Sequence, residues 1–433
     1  EPASGTWQFS QKVVHNSLTP VAEWYGSSAA LSGDFLLVGA HSARTSVDQV
    51  YPPGVAFMYE RSAEGKWSLK KQLSIPANEE ATGQQFGAHL ALSDKYALIQ
   101  AANTQEVYVY ENKGSGNWSF IQKISGADYL RPNGFKPDFG VALAVDGEYI
   151  YIGAHSDDTD AHGNNPLPRA GAVYVFKNNG GSFALHQKVT EEARQAQSHF
   201  GNNIRVSGNR MIISSEDKGK GAVQVYSRGS DRTWYYSTEL IPEQRETMDR
   251  FGAEIAMDES HIAIAAPNYS IYGTTHAGAV FIYEKDQKNN WVEKEVITAP
   301  HPVSSERLGK VNIDNGTVVI GVPTRMVSGN RYSGVFYATQ INPTSAGSNS
   351  MENIDGLTLF PNPSIGSFKL NYVGKDEISK IQVFDQAGSE VPVQYDSAGH
   401  TVNTRDLSGG IYLIRVHMQT GEVLTREFTV ASY

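Results

Sequence analysis

The stretch "FGVALAVDGEYIYIGAHSDD", Phe139 to Asp158, decides the fold, because its plan recurs along the chain. It holds an aromatic-glycine doublet, a short apolar strand, the tight Asp146-Gly147 turn, a second β-rich strand and a small-residue corner at Gly153-Ala154. Five stretches align with it: "YGSSAALSGDFLLVGAH" from Tyr25, "FGAHLALSDKYALIQAA" from Phe86, "FGNNIRVSGNRMIISSE" from Phe200, "FGAEIAMDESHIAIAAP" from Phe251 and "LGKVNIDNGTVVIGVP" from Leu308. Six units spaced 51 to 61 residues apart point to a propeller or a solenoid.

Each unit predicts four strands. A loop of varying length leads to a third strand, "GVAFMYE" at Gly54, "EVYVYE" at Glu106, "GAVYVF" at Gly171, "GAVQVY" at Gly221 and "GAVFIY" at Gly278, apolar on both alternating faces as in a sheet sandwiched between neighbours. The fourth strand opens on an aromatic: Trp67, Trp118, Phe183, Trp234 or Trp291. The sixth unit runs out near Ile341 without one, while "GTWQFSQKVV" at Gly5 has the right form, with Trp7 lying 18 residues ahead of Tyr25. That spacing predicts a ring closed by its own N-terminal strand, which removes open sheet edges.

Bulk properties exclude other classes. The 433 residues carry 46 acidic and 36 basic side chains, a net charge of −10 with no basic run, so nucleic acid and anionic lipid are not expected partners. No cysteine is present, which removes disulfides, thiolate metal sites and cysteine nucleophiles. Apolar runs such as Tyr149 to Ala154 are strand length, far short of a spanning helix. The start at Glu1-Pro2-Ala3 suits a chain whose leader has been removed.

The units resemble FG-GAP repeats, the blades of integrin-α-type propellers, over roughly residues 5 to 341. Calcium-binding members of that family carry a D-x-D-x-D-G loop between the first and second strands, where clustered oxygens surround the ion. Here that link is a tight turn, "SDK" at Ser93 or "DNG" at Asp314, so the resemblance does not extend to those sites.

After Ile341 the composition shifts. Residues 342–353, "NPTSAGSNSMEN", read as a flexible linker, and residues 354–433 as an antiparallel sandwich of about seven strands. "PNPS…G" (Pro361, Asn362, Pro363, Gly366), "FDQAG" and "LSGGIYLIRV" with Gly410 and Tyr412 closely resemble the type A C-terminal sorting domain of the type IX secretion system. The resemblance implies export across the outer membrane of a Bacteroidota-type bacterium, with the secretion translocon and a surface sortase-type peptidase as partners. The expected fold is therefore all-β: a six-bladed β-propeller over 1–341, with seven blades as the alternative, followed by an Ig-like antiparallel β-sandwich.

No G-x-S-x-G elbow, H-E-x-x-H helix or phosphate-cradling loop appears, so no catalytic residue is assigned. "DDTDAHG" from Asp157 is the one metal candidate: Asp158 and Asp160 mimic the first half of a calcium loop, but His162 is a poor hard-cation ligand and Pro166 stands where an acidic ligand is wanted. No other cofactor is expected. Propeller loops on one face would gather Tyr51, Tyr129, Arg131, Phe135, His162, Arg169, Tyr269, Tyr272 and His276, residue types enriched in recognition sites. The expectation is a monomeric, non-enzymatic surface propeller binding glycan or protein, compatible with adhesion. A polysaccharide hydrolase or lyase is the alternative, and it requires carboxylates converging from separate blades.

Overall fold

The structure is a computed structural model, described here over residues 9–14, 24–43, 53–79, 83–129, 138–219, 221–242, 249–270, 274–299, 302–325, 334–341, 357–360, 364, 366–372, 377–385, 388–421 and 423–430. It is all-β. Five four-stranded antiparallel meanders follow one another. The first comprises Ser28–Ser32, Phe35–Ala40, Val55–Arg61 and Trp67–Leu73, and the second Phe86–Leu92, Tyr96–Ala101, Glu106–Asn112 and Trp118–Ser125. The third holds Phe139–Asp146, Tyr149–Ala154, Ala172–Asn178 and Phe183–Val189, and the fourth Ile204–Ser207, Arg210–Ser215, Ala222–Arg228 and Trp234–Leu240. The fifth holds Glu254–Met257, His261–Ala266, Ala279–Lys285 and Trp291–Ile297, and a sixth sheet has three strands, Lys310–Asp314, Thr317–Val322 and Val335–Gln340. The five aromatics expected to open fourth strands all do so.

Successive first strands touch one another from the first sheet to the sixth, so the sheets stack side by side in a propeller-like arrangement. Burial follows from that stacking: the second strands Tyr96–Ala101 and Tyr149–Ala154 are buried at every position, whereas fourth strands such as Trp67–Leu73 are largely exposed. Both faces of a middle strand meet a neighbouring sheet, which explains its unbroken apolar character. Among the described residues the one helical element is the short turn Gly126–Asp128, and no helix is long and apolar enough to cross a membrane.

The repeated doublet is a junction device. Phe139, Phe200 and Phe251 are fully buried, and the Phe200 N–H donates to the Ala170 carbonyl of the preceding sheet at 3.1 Å. Gly171 is left-handed at φ +86°, and a Cβ there would stand 2.0 Å from the Phe200 carbonyl oxygen; one at the Gly153 corner would stand 2.1 Å from the Gly201 carbonyl oxygen. Glycine is required at both because the next sheet's doublet backbone fills the space of a side chain.

A second device repeats at the outer edge. In all five complete sheets the pairing between third and fourth strands slips once, as between Val175 and Phe176 or Val225 and Tyr226. Such a bulge re-aims the residue that follows it. Gln122, after the bulge in the second sheet, accepts from the Phe183 N–H and donates to its carbonyl at 2.6 and 2.9 Å. Gln187 of the third sheet clamps Trp234 the same way at 2.9 Å each, and Lys71 of the first donates to the Trp118 carbonyl at 2.5 Å. Each clamp ties one outer strand to the next through bonds worth ~1 kcal/mol apiece.

Residues 357–430 form two further four-stranded antiparallel sheets. Leu357–Phe360, Ser367–Tyr372, Gln394–Asp396 and Thr401–Asn403 make one; Ile378–Phe384, Glu390–Val391, Gly410–Met418 and Val423–Val430 make the other. They share a single core containing Phe368, Leu370, Val383, Ile414, Val416 and Phe428. Eight strands are present where about seven were expected, because the chain changes sheets at Pro392-Val393 and splits one segment into two short strands. The linker 342–353 and Trp7 lie outside the described residues.

Candidate functional site

Antiparallel meanders bring the residue before each doublet and the residues after each second strand to the same end of the sheets. Trp24, Gln85, Asp138, His199, Arg250 and Arg307, each immediately before a doublet, are all left-handed, with φ between 50° and 58°. Holding six non-glycine residues in that conformation aims six side chains at one rim, a strained geometry common at functional sites.

A chain of polar contacts crosses three sheets there. Ser156 Oγ donates to Asp138 Oδ2 at 2.8 Å, and His155 Nε2 lies 3.0 Å from the same oxygen. His155 Nδ1 lies 2.8 Å from Asn202 Oδ1, and Asn202 Nδ2 donates to Glu216 Oε1 at 3.0 Å. Arg250 Nη2 donates to both Glu216 oxygens at 2.9 and 2.8 Å. Beside them His199 Nδ1 lies 2.7 Å from Asp217 Oδ2, its ring 5.3 Å from that of His155.

Both nitrogens of His155 face acceptors, since the Asn202 amide nitrogen is committed to Glu216; the ring satisfies both only as imidazolium. Burial opposes the charge, but the bonds to Asp138 and Asn202 outweigh it and raise the imidazole above its ordinary value. Asp138 is depressed, chiefly by that same histidine. The His155 contribution to stability is therefore complete below pH 6.5 and disappears as pH rises through the raised value. Thermal melts between pH 5 and 9 are expected to show His155→Gln destabilised at the acid end and converging with the parent at the alkaline end; a constant gap would refute the charged ring.

The first strands also carry polar side chains, His89, Arg205, Glu254 and Lys310. Lys310 pairs with Glu254 across the fifth and sixth sheets, and both act on His89 of the second, which burial keeps below its ordinary value. Arg205 is likewise lowered by burial. Among the described residues no group of three or more His, Asp or Glu side chains is placed to hold a metal ion.

The residues singled out from sequence scatter. Tyr51, Arg131, Phe135 and Tyr272 lie outside the described residues, as do Pro361, Asn362 and Pro363. Tyr129 packs on Phe139, Tyr174 and Phe176 with ring centroids 5.3 to 6.4 Å apart, and Tyr269 sits edge-on to Phe281 at 5.5 Å, so both are anchored in core clusters. His162, Arg169 and His276 are exposed on the loops. Asp160 accepts from the His162 and Asn164 N–H groups and from Asn165 Nδ2 at 2.6 to 2.9 Å, bonds that lower it to about 2. Asp158 serves the loop through its carbonyl, which accepts from Leu167 N–H and Arg194 at 2.7 and 2.8 Å. The loop is thus held by its own amides.

The rim of Asp138, His155, Asn202, Glu216 and Arg250 was missed by motif reading. Its signal was present: these positions flank the doublets in "DFGV", "FGNN" and "RFGA" and follow the second strands in "GAHS" and "SSED", where polar residues recur beside buried ones.

In the C-terminal sheets, Gly366 is left-handed at φ +80° and its carbonyl accepts from Thr404 N–H at 2.8 Å. Ser364, buried, bonds Thr404 Oγ1 at 2.5 Å and bridges to Val430. Tyr412 opens from the Gly410 strand start, stacks on Phe428 at 5.7 Å and donates to the Ser408 carbonyl at 2.8 Å. The motif residues thus lock one end of the two-sheet core, and the comparison with known families settles what that core is. Residues 358–430 are a secretion system C-terminal sorting domain. The sorting domain marks the chain for export by the type IX secretion system, to the cell surface or the extracellular space.

No curated protein matches the chain. Among solved structures, a candidate 6-phosphogluconolactonase from Bacteroides uniformis ATCC 8492 is similar at 14% identity, covering 72% of this chain and 84% of that one with a TM-score of 0.45. The periplasmic gluconolactonase PpgL of Pseudomonas aeruginosa is similar at 14% identity, covering 70% and 91% with a TM-score of 0.35. A functionally unknown protein from Desulfotomaculum acetoxidans DSM 771 covers 88% and 96% at 8% identity and a TM-score of 0.39. Likeness at this level carries no activity across, and no FG-GAP family matches.

Proposed function

We propose that the chain is a type IX secretion cargo whose propeller is a non-enzymatic binding module for glycan or protein at the cell surface, with the doublet rim as its recognition face. The supporting observation is the state of the rim carboxylates. Asp138, Glu216 and Asp217 each lie against a histidine or arginine, and Asp138 is depressed, chiefly by His155, the opposite of the raised carboxyl that a general acid needs. What the rim offers instead is a fixed set of imidazole, guanidinium and amide groups on rigid strands, suited to a polar ligand. A glycan array probed with the full chain is expected to return a ligand, and Arg250→Ala is expected to weaken it roughly tenfold, as loss of one charge-assisted contact does. Turnover of a polysaccharide by the purified chain, or an unchanged affinity in Arg250→Ala, would remove this reading.

The same proposal takes the six sheets as six blades closed by the N-terminal segment. Gln11 supports it: its side chain accepts from the Trp67 N–H at 2.8 Å and donates to the Trp67 carbonyl at 2.9 Å, the clamp that Gln122 and Gln187 make from fourth strands. Gln11 therefore stands where the fourth strand of a blade preceding the first would stand, and the sixth sheet is the one with three strands. Deleting residues 1–14 is expected to cost about 2–4 kcal/mol, from two clamp bonds and the packing of Val13 on the first sheet. An unaltered melting temperature would exclude the closure.

A further inference from the structure

The junction between the fourth and fifth sheets lacks both devices that seal the earlier ones. At the first three junctions an aromatic of a second strand meets the next sheet's outer aromatic: Phe35 on Trp118 at 5.5 Å, Tyr96 on Phe183 at 5.1 Å, Tyr151 on Trp234 at 6.0 Å. In the fourth sheet Arg210 begins the second strand instead, its guanidinium 4.7 Å from the Trp291 ring. The clamp position after the bulge is Thr238, too short to repeat what Gln122 and Gln187 do, and among the described residues it makes no bond to the Trp291 peptide. A cleft of about 500 Å³ opens between the two sheets as a result.

Its lining is polar and cationic. Lys285 Nζ lies 5.5 Å from the same Trp291 ring, and no carboxylate lines the cleft. Arg210 donates to the Asp258 and Glu259 carbonyls at 3.4 and 3.1 Å, and Lys285 to Asn289 Oδ1 at 2.7 Å, so neither is in an ion pair among the described residues. Asp258, the carboxylate acting on Arg210, is already bonded to the Gly316, Ser260 and His261 N–H groups. Arg228, the third cation of the lining, is paired with Asp146 at 2.6 Å. Two unpaired cations at one indole repel each other, and an anion placed between them reverses the sign of that interaction. The volume lies in the range of small-molecule sites, larger than a bare inorganic anion needs, and Ser237, Asn209 and Asn290 supply neutral donors around it.

We propose that this cleft binds an acidic saccharide, a sugar unit bearing a carboxylate or a sulfate ester, with its anionic group between Arg210 and Lys285 and its hydroxyls on the amide and hydroxyl side chains. The cleft lies at the turn ends of the strands, opposite the doublet rim, so it stands independently of any ligand there. Calorimetric titration of the full chain with trigalacturonate, a disulfated chondroitin disaccharide and maltotriose tests it. At least one acidic sugar binds and maltotriose does not, the stronger acid identifying carboxylate or sulfate as the anion read. Lys285→Gln and Arg210→Gln each weaken that binding about tenfold. Thr238→Gln, which supplies the missing clamp and closes the cleft, abolishes binding while the melting temperature holds or rises; this variant decides the matter should Arg210→Gln fail to fold. Silence with both acids, equal binding of maltotriose, or affinity that survives all three substitutions overturns the proposal.

Discussion

Gly171→Ala is expected to be the most damaging conservative substitution in the repeat region. The added methyl would stand 2.0 Å from the Phe200 carbonyl oxygen and 2.5 Å from its nitrogen, both backbone atoms that no rotamer change can move. The residue would also have to hold φ +86°, which costs a β-carbon of order 1–3 kcal/mol by itself. Relief requires the third and fourth sheets to part, which breaks the Phe200 N–H bond to Ala170 and uncovers Phe200, fully buried among Tyr151, Val173 and Met211. The total is about 3–5 kcal/mol, or a fall in melting temperature on the order of 5–10 °C. Gly163→Ala is the control, since Gly163 is left-handed at φ +76° and an added Cβ there would meet nothing within 4 Å, and it is expected to cost only ~1 kcal/mol. Equal melting of the two variants would show that close approach at Gly171 plays no part.

Removing residues 354–433 is expected to reduce delivery beyond the cell envelope to background while leaving the remainder folded. The core of the sorting domain is drawn wholly from residues 357–430, and every other apolar cluster wholly from residues before 342. Among the described residues no apolar cluster draws on both segments, and on that ground we propose that the two fold independently. Cell fractionation with antibody detection reads the first half of this expectation, with the truncated chain held in the periplasm; a thermal melt of the truncated chain reads the second. Truncated chain at the surface in normal amount would contradict the export role, and a collapsed melt would contradict the separation of cores.

Much of the fold was legible because its signals are local. The doublets, the Asp146-Gly147 type of turn and the aromatic openings of the fourth strands each depend on a few adjacent residues, and every one recurs at its expected place. The tail was legible for the same reason, with its Ser364, Gly366 and Tyr412 spaced as strand ends demand. The candidate site was much less so. Tyr129 and Tyr269 look like recognition residues in the sequence, yet aromatic rings on loops are as easily drawn into the core, and both were. Asp160 looks like an ion ligand until its own loop supplies three donors within 2.9 Å.

By itself, then, the sequence determined the period, the strand count of each repeat and the address at the C-terminus, because backbone conformation and apolar alternation are properties of neighbours in the chain. Only the tertiary structure decided that His155 meets Asn202 across 47 positions, that Gly171 is a packing residue rather than a turn, and that Arg210 and Lys285 share one indole. Those facts depend on the rotation of one sheet against the next, which sets distances between side chains far apart in the chain and leaves no trace in any local pattern.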